Sequence, residues 1–149
     1  MTTTDEELDI YTLLNDGWNT DNCSKPKLYY KDDIASHDYR TMGLKVYQTS
    51  APDQIIHGLG ATSKEVEYNL TIDLRGPLRD SVDDGEGGYS AYGILAARDE
   101  VIRILDSKRT NPTTNYDILD HDGGSKRSGY QNFYHYTIEV RLTKYRKSY

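Results

Sequence analysis

The chain is poor in the residues that staple or punctuate a fold. It has one cysteine, one tryptophan, one phenylalanine and four prolines in 149 residues. A single thiol, Cys23, excludes an internal disulfide and fits a reducing compartment. No apolar run approaches the roughly 20 residues a membrane helix needs. Leu8 and Ile10, the first apolar residues after Met1, are interleaved with acids, so no secretory leader is expected and the chain reads as intracellular. The sequons at Asn22 and Asn69 then read as chance matches. Positive charge is also short. A net charge of −6 argues against a protein that grips nucleic acid by neutralising phosphates over a broad surface, and against adhesion to anionic membranes.

Motifs that carry chemistry are equally scarce. The Gly-rich stretch DDGEGGYS precedes a predicted helix, but it lacks the Lys-Ser/Thr pair of a P-loop, and its acids would repel phosphate. His121 stands between Asp120 and Asp122, yet neighbouring side chains on an extended chain diverge and do not converge on a metal. His37, His57 and His135 lie in separate segments at no ligand spacing, and no base accompanies Cys23. No catalytic residue, metal ligand or cofactor site is assigned. A hydrolase or nuclease built on Asp120, His121 and Asp122 is the weakest of the readings kept open. The basic clusters at 107–109, 125–127 and 144–147 are short and scattered, a poor footprint for DNA.

What the chain does have is tyrosine, fourteen of them, within a low apolar fraction of 36%. Tyrosine offers an apolar body with a wettable tip, suited to half-buried strands and to protein interfaces. The length fits one domain over residues 1–149, with 1–3 expected to be disordered. Thr4 and Glu7 have capping-box spacing, and Leu8, Tyr11, Leu14 and Trp18 form a stripe with Ile10 flanking it, predicting a helix to about Asp16 that Gly17 ends. KLYY and GLKVYQT read as strands, DDIASHDYRT as polar and ambiguous, and SAPDQIIHGLGATS as a long connection or hairpin arm. Lys64 to Arg75 alternates most clearly: Val66, Tyr68, Leu70, Ile72 and Leu74 point one way, Glu65, Glu67, Asn69, Thr71, Asp73 and Arg75 the other.

After the acidic loop GPLRDSVDDGEGGYS, Ser90 is predicted to cap a helix running to about Lys108. Ile94, Leu95, Arg98, Val101, Ile102 and Leu105 would form its core stripe, and Asp99, Glu100, Arg103 and Asp106 its wet face. A short strand or helical turn is expected near Ile118. A last strand from Phe133 to about Lys144 turns Tyr134, Tyr136, Ile138, Val140 and Leu142 inward. The expectation is an α+β fold: a largely antiparallel sheet of about four strands with two main helices on one face.

LTIDLR (70–75) and YTIEVR (136–141) nearly repeat each other. If the two strands pair, Asp73 is expected opposite Arg141 and Arg75 opposite Glu139, since acid against acid would destabilise the ladder.

Three longer stretches, DIYTLLNDGWNTDNCSKPKLYY, VEYNLTIDLRG with AARDEVIRILDSKRTNPTTNYDIL, and FYHYTIEVRLTKY, together resemble tail-terminator or tail-completion (head–tail joining) proteins of tailed double-stranded-DNA viruses of bacteria or archaea. The likeness is spread over most of the chain as spacing and residue class. It implies a non-enzymatic virion protein of the neck or tail, found in the host cytoplasm during assembly. Such a protein forms a homo-oligomeric ring, commonly of six copies. The ring caps the tail tube protein and meets a head-side connector or adaptor, with genomic DNA in its channel. The longer arm around DQIIH leaves open a head-completion or stopper role. An intracellular adaptor that binds a partner by its sheet edge is a further alternative. Candidate subunit-interface or lumen residues are Asp53, Gln54, Ile55, Ile56 and His57 of the arm, Lys64, Glu65, Glu67, Asp73 and Arg75 of the central strand, and Glu139 and Arg141 of the last.

Overall fold

A computed structural model of the chain describes residues 5–30, 42–48, 53–57, 63–77, 93–113, 115–130 and 133–147. The first helix, α1 (Glu6–Gly17), opens at Asp5, whose carboxylate accepts the Leu8 amide at 3.1 Å; the expected cap, Thr4, lies outside the described residues. Glu6, Glu7 and Asp9 crowd the first turn, where the helix dipole favours them. The buried stripe is Ile10, Leu13 and Leu14, rotated from the predicted one, and Leu8 is 39% exposed. Gly17 follows at the next turn of that stripe. A Cβ there would come within 3.2 Å of the Ile104 side chain, so the glycine allows the two helices to cross closely.

Strands β1 (Lys27–Tyr29), β2 (Gly43–Gln48), β3 (Asp53–His57) and β4 (Ser63–Pro77) follow. After helix α2 (Ile94–Ser107) come β5 (Thr110–Thr113), β6 (Tyr116–His121), β7 (Ser125–Tyr130) and β8 (Phe133–Lys147). Strands dominate the described residues, curled into one mixed sheet that forms a half-barrel. The expected α+β fold with a sheet of about four strands is therefore overturned. Order across the sheet is β1-β2-β4-β8-β6-β5, with β3 beside β4 and β7 beside β8. Every pairing is antiparallel except β1 with β2.

The extra strands lack the alternation that marks β4 and β8. β5 contains Pro112 and a positive-φ Asn111, and β7 reads SKRSGY with a bulge between Lys126 and Ser128. β3 was foreseen only as a possible arm. Residues 31–41, 49–52, 58–62 and 78–92, which include the ambiguous DDIASHDYRT, most of the acidic loop and the proposed Ser90 cap, lie outside the described residues. Helix α2 starts after Gly93 with no side-chain cap and ends at Ser107, and Pro112 lies in the following strand.

β4 and β8 form the spine, paired over fifteen positions from Ser63↔Lys147 to Pro77↔Phe133. At the ordinary rise of about 3.4 Å per residue the ladder spans roughly 50 Å. One face is the core. Val66, Tyr68, Leu70, Ile72 and Leu74 of β4 join Ile138, Val140 and Leu142 of β8, Leu44 and Val46 of β2 and Leu119 of β6. These pack against Ile10, Leu13 and Leu14 of α1 and Ile94, Ala97, Val101, Ile104 and Leu105 of α2 in one cluster. Each fully buried Leu or Ile stabilises the fold by about 1.5–3 kcal/mol.

On α2, Ile94, Val101 and Leu105 are buried as predicted, while Leu95 and Ile102 are half-buried and Ala97 and Ile104 take the inner positions. Arg98 leaves the stripe, its guanidinium 5.7 Å from the centre of the Tyr136 ring. Glu100, expected on the wet face, is buried.

Candidate functional site

The polar face of the β4–β8 ladder holds six of the candidate residues, Glu65, Glu67, Asp73, Arg75, Glu139 and Arg141, and its register differs from the expected one by four positions. Asp73 stands opposite Thr137, Thr71 opposite Glu139, Arg75 opposite His135 and Asn69 opposite Arg141. The slip is even, so each side chain keeps its face. It also explains the repeated motif. The two strands are related by a local two-fold through the Ile72↔Ile138 pair, which sets the threonine of each motif against the acid of the other. No acid faces an acid. Thr71 donates its hydroxyl to Glu139 Oε2 at 2.8 Å, while Thr137 accepts from Arg127 Nε at 2.6 Å.

Asp73 carries the most constrained charge on this face. Its carboxylate is 5% exposed and takes both Nε and Nη2 of Arg75, at 3.1 and 3.3 Å, a fork supplied from two residues along the same strand. His135 Nε2 lies 2.9 Å from Asp73 Oδ1 but off the line of a hydrogen bond, and no other acceptor meets it. Burial, opposed in part by the Asp73 charge, pushes the His135 pKa below its ordinary value. Further along, Arg127 approaches Glu139 at 3.7 Å and Arg141 approaches Glu67 at 3.9 Å. The Asp73, Arg75, Glu139 and Arg141 charges are thus engaged within the chain. The backbone of Asp53, Gln54, Ile55, Ile56 and His57 forms β3, in register with 63–67 of β4, where Lys64, Glu65 and Glu67 lie.

Asn69, Asp120, His121, Asp122, Glu139, Val140 and Arg141 line a shallow cleft of about 350 Å³ where β6 meets this face. Asp120 is opposite Arg141 and His121 opposite Val140, so consecutive residues of the Asp120–His121–Asp122 run fall on opposite faces of the sheet. His121 is spent on structure. Its Nδ1 accepts the Gly123 amide at 3.0 Å, which assigns the ring proton to Nε2, 2.7 Å from Asp106 Oδ1 at the end of α2. The His121 and Arg109 hydrogen bonds hold the Asp106 carboxyl below its usual range.

Asp122 Oδ1 accepts from the Gly124 and Glu139 amides, at 2.9 and 3.0 Å. Gly123 and Gly124 have φ of +81° and +90°, which side chains rarely adopt. The HDGG turn is a clasp joining β6, β7 and α2. With both imidazole nitrogens occupied, His121 presents no free base to the cleft. Among the described residues no group of three or more His, Cys, Asp or Glu side chains is placed to hold a metal. No family model matches the chain, and comparison with curated proteins gives no significant match.

One group escaped the sequence reading altogether. Glu100, with its side chain 1% exposed, accepts Arg103 Nε and Nη2 at 2.7 and 2.8 Å, the Asn19 amide at 2.6 Å and Asn22 Nδ2 at 3.0 Å. Arg103 also donates to the Gly17 carbonyl at 2.7 Å. These donors, Arg103 foremost, outweigh the burial that acts against them and lower the Glu100 pKa to about 2. The pair ties the end of α1 and the following loop to α2. Only the spacing of Glu100 and Arg103 on one helix face signalled it, and that spacing equally fits an exposed pair.

Proposed function

We propose that the chain is a structural subunit of a virion neck or tail, of the tail-terminator or tail-completion kind, and that it works by assembling into a ring. The observation that carries the reading is the fifteen-pair β4–β8 ladder, which continues beyond the strands covered by the helices and has an edge strand at each end: β3 beside the start of β4, β7 beside the start of β8. Such a spine is a long platform with edges that no described strand covers, a form suited to joining copies side by side. The sequence likeness to tail-terminator proteins, spread over both long strands and both helices, supports the same reading.

In this reading the ring caps the tail tube protein on one side and meets the head-side connector on the other, with DNA passing through. The HDGG clasp and the Glu100 staple then serve to hold the subunit's shape. Negative-stain images and sedimentation of the purified chain test the proposal. Rings, commonly of six copies, are expected, together with binding to tail tubes. A chain that stays strictly monomeric at high concentration and binds no tube would overturn it.

A further inference from the structure

We infer that neighbouring copies join by pairing β3 of one with β7 of the next, so that their sheets continue into one another. The inference rests on the ring-forming reading and names the surfaces it would use. β2 covers Leu70 to Arg75 of β4, and β3 takes the remaining stretch from Ser63 to Glu67. On the other side β6 covers Val140 to Thr143 of β8, and β7 takes Phe133 to Thr137. Among the described residues, β3 has only β4 as a strand partner and β7 only β8. Among the described residues, therefore, no strand takes the second row of backbone donors and acceptors of either.

The outermost strands are poorer candidates. β1 has three residues, and β5 carries Pro112 and the positive-φ Asn111, features that blunt an edge. β3 (DQIIH) has no proline, lysine or arginine to guard it, and β-branched isoleucines at its centre.

Charge selects between the possible pairings. β3 carries one acid, Asp53, and no Lys or Arg; β7 carries Lys126 and Arg127 and no acid. Arg127 is partly engaged by Glu139, but Lys126, whose ammonium lies 5.0 Å from the centre of the Tyr134 ring, has no acid within ion-pair distance among the described residues. Two β7 strands would repel, whereas β3 and β7 attract. Geometry points the same way. β3 and β7 sit on opposite edges and at opposite ends of the spine, so their contact is heterologous and adds copies in one rotational sense until a ring closes. A β3–β3 contact would be isologous and stop at a dimer.

Cysteine pairing tests this cleanly, because the native thiol, Cys23, is buried. Paired strands bring facing Cα atoms to about 5 Å, within disulfide reach. A chain carrying Gln54→Cys on β3 with Ser125→Cys or Ser128→Cys on β7 is expected, on mild oxidation, to give a ladder of covalent multimers up to the full ring. Mixing the single variants should give only mixed dimers. Asp53→Lys should abolish assembly, and adding Lys126→Asp should restore it. Rings that form without any β3–β7 cross-link would overturn this inference and leave the ring reading standing. Covalent dimers from Gln54→Cys alone would replace the contact with the isologous one. A strictly monomeric chain would overturn both.

Discussion

Among the described residues two carboxylates, Glu100 and Asp73, are buried, and they are treated differently. Glu100, between the helices, receives four hydrogen bonds from three residues, two of them in a distant loop. Asp73, on the polar face of the sheet, receives a fork from Arg75 on its own strand and a misaligned approach from His135. Burying a charge is tolerable only if donors replace the lost water. Glu100 meets that condition with donors that also fasten two elements together. Asp73 meets it locally, which keeps the face neutralised but ties less of the fold to it.

The largest expected effect comes from breaking the better-served group. Glu100→Ala leaves Arg103, Asn22 and the Asn19 amide without their acceptor and should cost about 3 kcal/mol, read as a lower urea midpoint. The same group sets an acid limit. Its folded pKa of about 2 lies below the ordinary 4.5, so its contribution is present above pH 4.5 and is lost as pH falls towards 2. In Glu100→Gln that part of the pH profile should flatten; a slope equal to wild type would refute the assignment.

Asp73→Ala is next, at about 2 kcal/mol, since it removes the bidentate acceptor of the mostly buried Arg75. An effect as large as that of Glu100→Ala would erase the contrast drawn here. His135 gives a smaller, pH-dependent effect. Its folded pKa is lowered by burial, so below about pH 6.5 the unfolded chain takes up a proton that the folded chain resists. Stability should fall as pH drops through 6.5 and level off below the folded value. His135→Gln should lose this component, and parallel profiles for variant and wild type would contradict it. Thr71→Val, which removes one hydrogen bond to the partly exposed Glu139, should cost only about 0.5–1 kcal/mol by thermal or urea unfolding.

The pattern of legibility follows from range. β4 and the inner part of β8 alternate apolar and polar residues over ten or more positions, and the structure places their apolar rows in the core. That signal is local and redundant. The α1 stripe was read one step round the helix because Leu8 and Tyr11 fit the period as well as Ile10 and Leu13 do, and only the crossing at Gly17 and Ile104 separates the two choices. Glu100 looked like a surface residue because its decisive partners, Asn19 and Asn22, come from the loop after α1. β5 and β7 carry no period to read; their pairing is imposed by β6 and β8. The alternation that puts Glu65, Glu67, Asp73 and Arg75 on the face away from the core was visible, as was the Thr–acid row on each strand, but the register that sets the two rows against each other is a property of two strands that neither sequence states alone.

The spine also has a consequence for how the chain reaches its fold. β4 and β8 are separated by α2 and three other strands, so their ladder is made almost wholly of contacts between remote parts of the sequence. Such pairings form slowly, because the loop between them must be closed before any pair can reward it. Until β8 has been synthesised, β4 can pair with β2 and β3 but has no partner for its other edge. The strand that carries the longest ladder of the finished fold is therefore, during synthesis, its most adhesive part, and its three acids against Lys64 and Arg75 leave it a net charge of −1, a slight like-charge repulsion between growing chains.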